Sequence, residues 1–299
     1  MSEPSKYWIY EEHRSGLRMG YLAKEMLFEG QSPFQKVTVY DTQSHGKMLF
    51  NDDLAMVSER DEFIYHDMIS HPALFVHPNP RRVLVIGGGD GGTAREVMRH
   101  KNIEICVMVE IDQMVIDACI AHIPQTAIAF QNPKMELHVD DGVVFVQKYR
   151  QEIANGTQKP FDVILVDSTD PIGPAQPLFD IPFYDDLYHC LGEDGIVISQ
   201  GESSHYEKEA QVKLLEILQK VFPICSLYNF HNLTYPGGFW SFTFASKTKH
   251  PIRDFDATKV QNSGLEFQYY NPQIHQAAFC KPNFQEELIG HLCTGSTDI

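Results

Sequence analysis

The sequence predicts an α/β protein: a doubly wound, mostly parallel seven-stranded sheet preceded by a small antiparallel β unit. Two observations carry that prediction. From about residue 61, apolar strand-like runs alternate with segments of helical rhythm, the pattern of parallel strands joined by crossover helices. Before that point the apolar residues come in short alternating runs broken by Gly, Asn and Asp, as in successive hairpins. The expected domains are residues 1–60 and 61–299.

In the first unit, YWIYEEH, GLRMGYLAKEMLFEG, QKVTVYDTQSHGKMLFND and LAMVSE supply about four to six strands, with SHG as a turn. DEFIYHDMISHPALF then spaces Phe63, Ile64, Met68, Ile69 and Phe75 as a helix does. The strands that follow are RRVLVIGG, IEICVMVE, MELHVDDG, FDVILVDS and DGIVISQG. TAREVMRH, DQMVIDACIAHI, VVFVQKYRQEI, FYDDLYHCL and EKEAQVKLLEILQKVF are the helices. CSLYNFHNL and GGFWSFTFASK flank YPGG as a closing hairpin, and FQEELIGHL reads as a last helix after weaker signals.

The chain's 299 residues suit two domains, or one large domain with an appendage. No apolar run reaches the ~18 residues of a membrane span. The start, MSEPSKYWIY, lacks a basic segment followed by an apolar one, so no secretory signal is expected and the cytoplasm is the expected location. Six cysteines without CxxC spacing read as reduced thiols, with Cys106, Cys119 and Cys190 inside apolar patterns. With 40 acids against 24 bases the net charge is −16, which argues against a nucleic-acid partner. It is compatible with a cationic ligand and equally with solubility alone.

Ligands of open α/β sheets bind beyond the carboxyl ends of the strands. The residues after each strand are therefore the candidate site. After the first comes GGGDGGT, with G-x-G-x-x-G at Gly87, Gly89 and Gly92 between strand and helix. After the second comes Glu110, suited to ribose hydroxyls; after the third come Asp140, Asp141 and Gly142, where a carboxylate would suit an adenine amino group. Any one such acid could instead cap a helix. Together they outline an adenosine site. Asp90 inside the glycine loop would repel a pyrophosphate, so the ligand should carry positive charge near its 5′ end, as a sulfonium nucleoside does. After the fourth strand stand Asp167 and Asp170. Neighbouring first and fourth strands would bring Asp90, Asp167 and Asp170 into one pocket, which calls for an amine. A divalent metal is the weaker explanation, because the phosphate that usually accompanies it is what Asp90 opposes.

IGGGDGG, VEID, DDG, VDSTDPIGP and TYPGG, in this order, resemble the polyamine aminopropyltransferases, the bacterial-type spermidine synthases most of all. ERDEFIYHDMISH and SPFQKVTVYD are similar too, and the likeness runs from about residue 7 to 247. The resemblance implies a Rossmann-like class I methyltransferase fold behind an N-terminal β-domain, in homodimers or homotetramers. It implies decarboxylated S-adenosylmethionine as donor co-substrate, putrescine as acceptor, spermidine and 5′-methylthioadenosine as products, and no metal or resident cofactor.

By the same resemblance Asp167 takes the proton of the attacking nitrogen, aided by the Tyr65 hydroxyl, and Asp90 holds the amino end of the aminopropyl group. Asp170 belongs to the loop around the polyamine, and His66 contacts it. Tyr235 and Trp240 wall its methylenes, with Glu202 at its distal ammonium. Gln35 and Glu110 match ribose and nucleoside contacts, and Asp141, Gly142 and Pro174 match the adenine pocket. Residues 168–179 are expected to form a lid. The plainer roles are core aromatics for Tyr65 and Trp240 and a structural histidine for His66. The rival functions are an aminopropyltransferase using agmatine, cadaverine or spermidine, a putrescine N-methyltransferase, and a polyamine- or nucleoside-binding protein without catalysis.

Overall fold

A computed structural model of the chain describes residues 6–13, 15–169 and 173–294. Five strands, β1 (Tyr7–Glu12), β2 (Arg18–Gln31), β3 (Lys36–Thr42), β4 (Gly46–Asn51) and β5 (Leu54–Ser58), pair antiparallel in chain order. β2 is one strand of 14 residues, and shifts of register along its pairing with β3 let it bend over its neighbour.

Helix α1 (Glu62–Val76) then leads into the larger sheet. Its elements are β6 (Arg82–Gly87), α2 (Gly92–Arg99), β7 (Ile105–Glu110), α3 (Gln113–His122), α4 (Pro124–Ala127), β8 (Met135–Val139), α5 (Gly142–Ala154), β9 (Phe161–Asp167), α6 (Ile181–Cys190), β10 (Leu191–Gln200), α7 (Lys208–Val221), β11 (Ile224–His231) and β12 (Phe239–Ser246). The strand order is β11-β12-β10-β9-β6-β7-β8, with β12 antiparallel to both its neighbours and the other pairs parallel. This is the predicted mostly parallel seven-stranded sheet, with helices on both faces.

Residues of β9 alternate between two cores. Val163 and Leu165 join α1, α2 and the C-terminal segments on one face; Ile164 and Val166 join α5, α6 and α7 on the other. A strand covered on both sides has no solvent face, so its sequence is a continuous apolar run. β6 lies beside β9 as expected, with Gly87 opposite Asp167. From this central pair the chain winds outward in opposite directions, and the crevice between the two strand tips is where an open sheet binds its ligand.

After Pro251 the structure has three short helices where the sequence signalled one: α8 (Ala257–Asn262), α9 (Pro272–Ala278) and α10 (Asn283–Ile289). α8 and α9 have 6 and 7 residues, too few turns for a helical period to declare itself. This segment packs on α1, where the buried Asp67 carboxylate accepts from the amides of Tyr269 and Tyr270. Five of the six cysteines are buried, Cys225 and Cys293 among them, and all are unpaired. Among the described residues no helix is long and apolar enough to cross a membrane.

Candidate active site

A cavity of about 200 Å³ opens at the tips of β6, β7 and β9, roofed by the N-terminal sheet and the loop between β11 and β12. Asp61 clamps these parts together. Its buried carboxylate accepts from the amides of Leu233 and Thr234 at 2.7 and 3.0 Å and from Thr234 Oγ1 at 2.6 Å. The Tyr235 hydroxyl donates to the Met56 carbonyl at 2.8 Å. Among the described residues seven acids line the cavity: Glu11, Asp61, Glu62, Asp90, Glu110, Asp141 and Asp167. Among the described residues no Lys or Arg joins them, and the basic side chains are His13 and His66. Low-dielectric walls carrying one sign of charge concentrate the opposite sign, so this cavity favours a cation.

Asp167 closes β9. Gly87, at φ +82°, turns the chain beside it; a Cβ there would stand 2.1 Å from the Asp167 carbonyl oxygen. The Gly88 amide donates to that same oxygen at 2.9 Å. The Asp167 carboxylate is held from two helices: Tyr65 donates to Oδ1 at 2.7 Å and Thr93 to Oδ2 at 2.6 Å. Burial, then the nearby Asp90 charge, raises its pKa above the ordinary aspartate value, while His66, Thr93 and Tyr65 oppose the rise. A buried carboxylate with a raised pKa is a stronger base than a solvated one. Burial and the Asp167 charge push the Tyr65 phenol well above its usual value, so it remains a donor.

Asp90 accepts from the Gly92 amide through Oδ1 at 2.7 Å and faces His66 Nε2 at 3.4 Å. The other ring nitrogen, Nδ1, meets Glu62 Oε2 at 2.5 Å. Burial works against an imidazolium here, but Asp90 and Glu62 on either side carry the His66 pKa up to about 10. The structural role foreseen for His66 thus holds, its ring nitrogens being met by protein acids; it also lines the cavity. Of the three carboxylates expected in one pocket, Asp90 and Asp167 are brought together, with His66 facing Asp90. Asp170 and the side chain of Pro174 lie outside the described residues. The expected lid at 168–179 overlaps them; what is described of it is Ser168 and Thr169, which line the cavity, and a 3-10 turn over Gly173–Phe179.

Tyr235 and Trp240 stand with ring centroids 5.0 Å apart, and Tyr235 is 5.7 Å from Tyr65. All three line the cavity. Trp240 is also a core aromatic, 4% exposed, and its Nε1 has no protein acceptor among the described residues. Glu202, buried with its backbone at φ 64°, is not in the lining. The acid that does reach this end from the N-terminal sheet is Glu11, at the end of β1.

At the opposite end, Glu110 is buried and accepts from the Asp112 amide at 2.9 Å. Burial raises its pKa to about 7. Gly89 lies against it, since a Cβ there would stand 2.9 Å from Glu110 Oε2. Gln35 donates to Asp112 Oδ2 at 3.0 Å and Ser32 donates to the same oxygen at 2.7 Å, which fixes the N-terminal domain over β7. Asp141 Oδ1 caps α5, accepting from Val143 at 2.8 Å and Val144 at 3.3 Å, and both Asp141 and Gly142 line the cavity. The capping role foreseen as the alternative therefore holds for one oxygen of Asp141.

Sequence reasoning missed Glu11, Asp61, Glu62, Thr93 and Asp112. Among the described residues one group has metal-ligand spacing, the buried Asp67, His71 and Glu96, whose candidate atoms lie within 4.8 Å of one another. It stands apart from the cavity lining, and Glu96 is already paired with Arg95 and Arg99.

Residues 62–256 match the model of the spermine/spermidine synthase domain, and residues 7–59 match that of the spermidine synthase tetramerisation domain. The polyamine aminopropyltransferase of Alkaliphilus metalliredigens is 43% identical over 284 residues, 94% of this chain and 97% of that one. That of Thermotoga petrophila is 39% identical over 291 residues, 96% of each chain. A spermidine synthase solved in complex with the transition-state analogue AdoDATO aligns with a TM-score of 0.92 at 36% identity, over 97% of this chain and 98% of that one. The spermidine synthase of Thermotoga maritima aligns at 0.90 with the same identity and coverage.

Proposed function

Since the chain belongs to the spermine/spermidine synthase family and is an aminopropyltransferase, we propose that it moves the aminopropyl group of decarboxylated S-adenosylmethionine to putrescine, forming spermidine and 5′-methylthioadenosine. The observation that carries this reading is the pairing of Asp167 with Asp90 at one end of a cavity lined by acids and aromatic rings and by no Lys or Arg among the described residues. We further propose that it works in the cytoplasm as a homodimer or homotetramer, for which the match to a tetramerisation domain is the support.

The donor's adenosine lies along Glu110, Gln35, Asp141 and Gly142, and its aminopropyl ammonium meets Asp90. Putrescine lies between Tyr65, Tyr235 and Trp240, whose apolar faces suit a methylene chain and whose π-systems suit its ammonium groups. Its far ammonium faces the end where Glu11 reaches the cavity. An amine of pKa about 10 arrives protonated and must lose one proton to become a nucleophile. Asp167 takes that proton, with Tyr65 and Thr93 holding the carboxylate in place. The nitrogen lone pair then attacks the methylene carbon next to S⁺, the C–N bond forms, and the C–S bond breaks with its electrons going to sulfur. The leaving thioether is neutral, so the step needs neither an acid nor a metal at the leaving group. Positioning and proton removal supply the acceleration.

A product assay tests this. Purified protein is incubated with decarboxylated S-adenosylmethionine or with S-adenosylmethionine, each against putrescine, cadaverine, agmatine and spermidine. Spermidine plus methylthioadenosine from the first donor with putrescine is the expected result. A strong preference for another amine would overturn the acceptor. Methylputrescine from S-adenosylmethionine would overturn the donor.

A further inference from the structure

Glu62 opens α1, and His66 lies one turn later on the same helix face. Arg95 of α2 grips Glu62 with two parallel bonds, Nη1 to Oε1 and Nη2 to Oε2, both 2.9 Å. Arg95 is itself anchored by the Gln125 carbonyl at 3.0 Å and by Glu96 at 2.9 Å. A forked guanidinium–carboxylate pair fixes direction as well as charge. The fixed carboxylate holds His66 Nδ1 at 2.5 Å, leaving Nε2 to face Asp90 Oδ1 at 3.4 Å. The imidazole lies so close to Gly92 that a Cβ there would stand 2.1 Å from the ring, which leaves it little room to turn.

We propose that Glu62, clamped by Arg95, is a positioning residue of the transfer: it fixes the His66 ring, and through that ring the Asp90 carboxylate that receives the donor's ammonium. The inference rests on the proposed reaction for the role of Asp90. Its physical content is that a doubly protonated ring bonded to Glu62 must donate from Nε2 toward Asp90. A neutral ring protonated on Nδ1 would instead present a lone pair to the Asp90 oxygen and push it away.

The groups facing His66 are Glu62 and Tyr65 on α1, Asp90 in the glycine loop, Asp167 at the end of β9 and, behind Glu62, Arg95. Glu62 is held at about 2, Tyr65 lies well above 10 and Arg95 is raised further, so none of the three titrates between pH 6.5 and 9. Asp167 is present in both proteins, but the His66 charge lowers its pKa, so loss of that charge raises it and adds to the change in their ratio. In the wild type His66 stays charged over this range. Without the Glu62 charge its titration moves down into it.

The test compares wild type, Glu62→Gln, Glu62→Asp and Glu96→Gln. The His66 titration is followed by NMR of the ring without substrate, and the donor KM is measured from pH 6.5 to 9. For Glu62→Gln the expected result is a His66 midpoint lower by about two units or more. The donor KM, relative to wild type, should rise about tenfold between pH 6.5 and 9. Glu62→Asp should show the same trend more weakly, and it carries the test if the Gln variant does not fold. Glu96→Gln removes another Arg95 partner, and a partner of His71, without touching His66, and should lower thermal stability with no new pH dependence of the donor KM. An unmoved His66 midpoint, or a KM ratio flat with pH, would overturn the proposal. Failure of the wild type to transfer to any amine would instead refute the reaction itself, and the substrate-free titration separates the two failures.

Discussion

At the cavity end proposed for the amine, Asp167 is gripped by side chains from other elements, whereas at the end proposed for the nucleoside the carboxylates hold mainly to backbone amides of their own loops. Asp167 is fixed by Tyr65 from α1 and Thr93 from α2, and Asp90 faces His66 from α1. Glu110 accepts from the amide of Asp112, two residues on, and Asp141 from Val143 and Val144. The first arrangement is costly to move, because its carboxylates belong to one shared network of polar side chains. It suits a proton acceptor, which must stay aligned through the reaction. The second suits recognition, where a loop need only present an acceptor to hydroxyls and amines.

The largest expected effect follows from breaking the fixed end at its centre. Asp167→Asn keeps the shape and removes the base, so kcat should fall by about 10²- to 10⁴-fold. Affinity for 5′-methylthioadenosine, measured by calorimetry, should change by less than about threefold, because that ligand rests on the other end. Comparable losses at both ends would mean that the two are not separable. Tyr65→Phe comes next. It removes one hydrogen bond to a charged group, worth ~1.5–3 kcal/mol, or about 10- to 100-fold in kcat. A loss of less than about threefold would reduce Tyr65 to a wall of the cavity.

The same division separates what the sequence revealed from what it did not. Gly87, Asp90, Glu110, Asp141 and Asp167 all follow parallel strands, and the topology of a doubly wound sheet brings strand tips together whatever the details of packing. Thr93, Asp61 and Glu11 act at the cavity mainly through contacts between distant elements, as when Asp61 meets the 233–234 backbone, and no local pattern marks them. Glu62 was in principle legible, since Glu62 and His66 stand four apart in DEFIYH. Its partner Arg95 is 33 residues away, and the bond between them depends on how α1 packs on α2. Glu202 shows the limit of residue type as a guide: its carboxylate suited an ammonium, but it is not among the residues lining this cavity.

The nucleoside end is sharpened by pH. Glu110 lies near pH 7, raised by burial, so it is largely protonated at pH 6 and ionised at pH 8. An ionised carboxylate accepts from both ribose hydroxyls, while a protonated one has lost an acceptor site. Affinity for 5′-methylthioadenosine should therefore increase with pH through about 7, by no more than about tenfold per unit. Glu110→Gln should bind more weakly at pH 8 and show no such slope. For stability the sign is opposite. A carboxyl whose folded pKa is raised contributes stability present in full below about 4.5 and lost as pH climbs through about 7. The ligand-free protein should accordingly gain stability from this group on acidification over that window, and Glu110→Gln should remove that gain in thermal melts.

The smallest expected effect decides between two roles of one side chain. Asp141 caps α5 through Oδ1 and also lines the cavity. Asn caps a helix about as well as Asp, whereas Ala does not cap. Asp141→Ala should therefore lose about 1 kcal/mol, seen as a melting temperature lower by about 2 °C, together with some nucleoside affinity. Asp141→Asn should keep the melting temperature. What it loses in affinity for 5′-methylthioadenosine, about threefold if the carboxylate meets the adenine amino group, measures recognition alone. Equal affinity in Asp141→Asn and wild type would leave Asp141 as a helix cap at the edge of the cavity. The nucleoside end would then depend on Glu110 and Gln35, and the contrast with the amine end would be greater still.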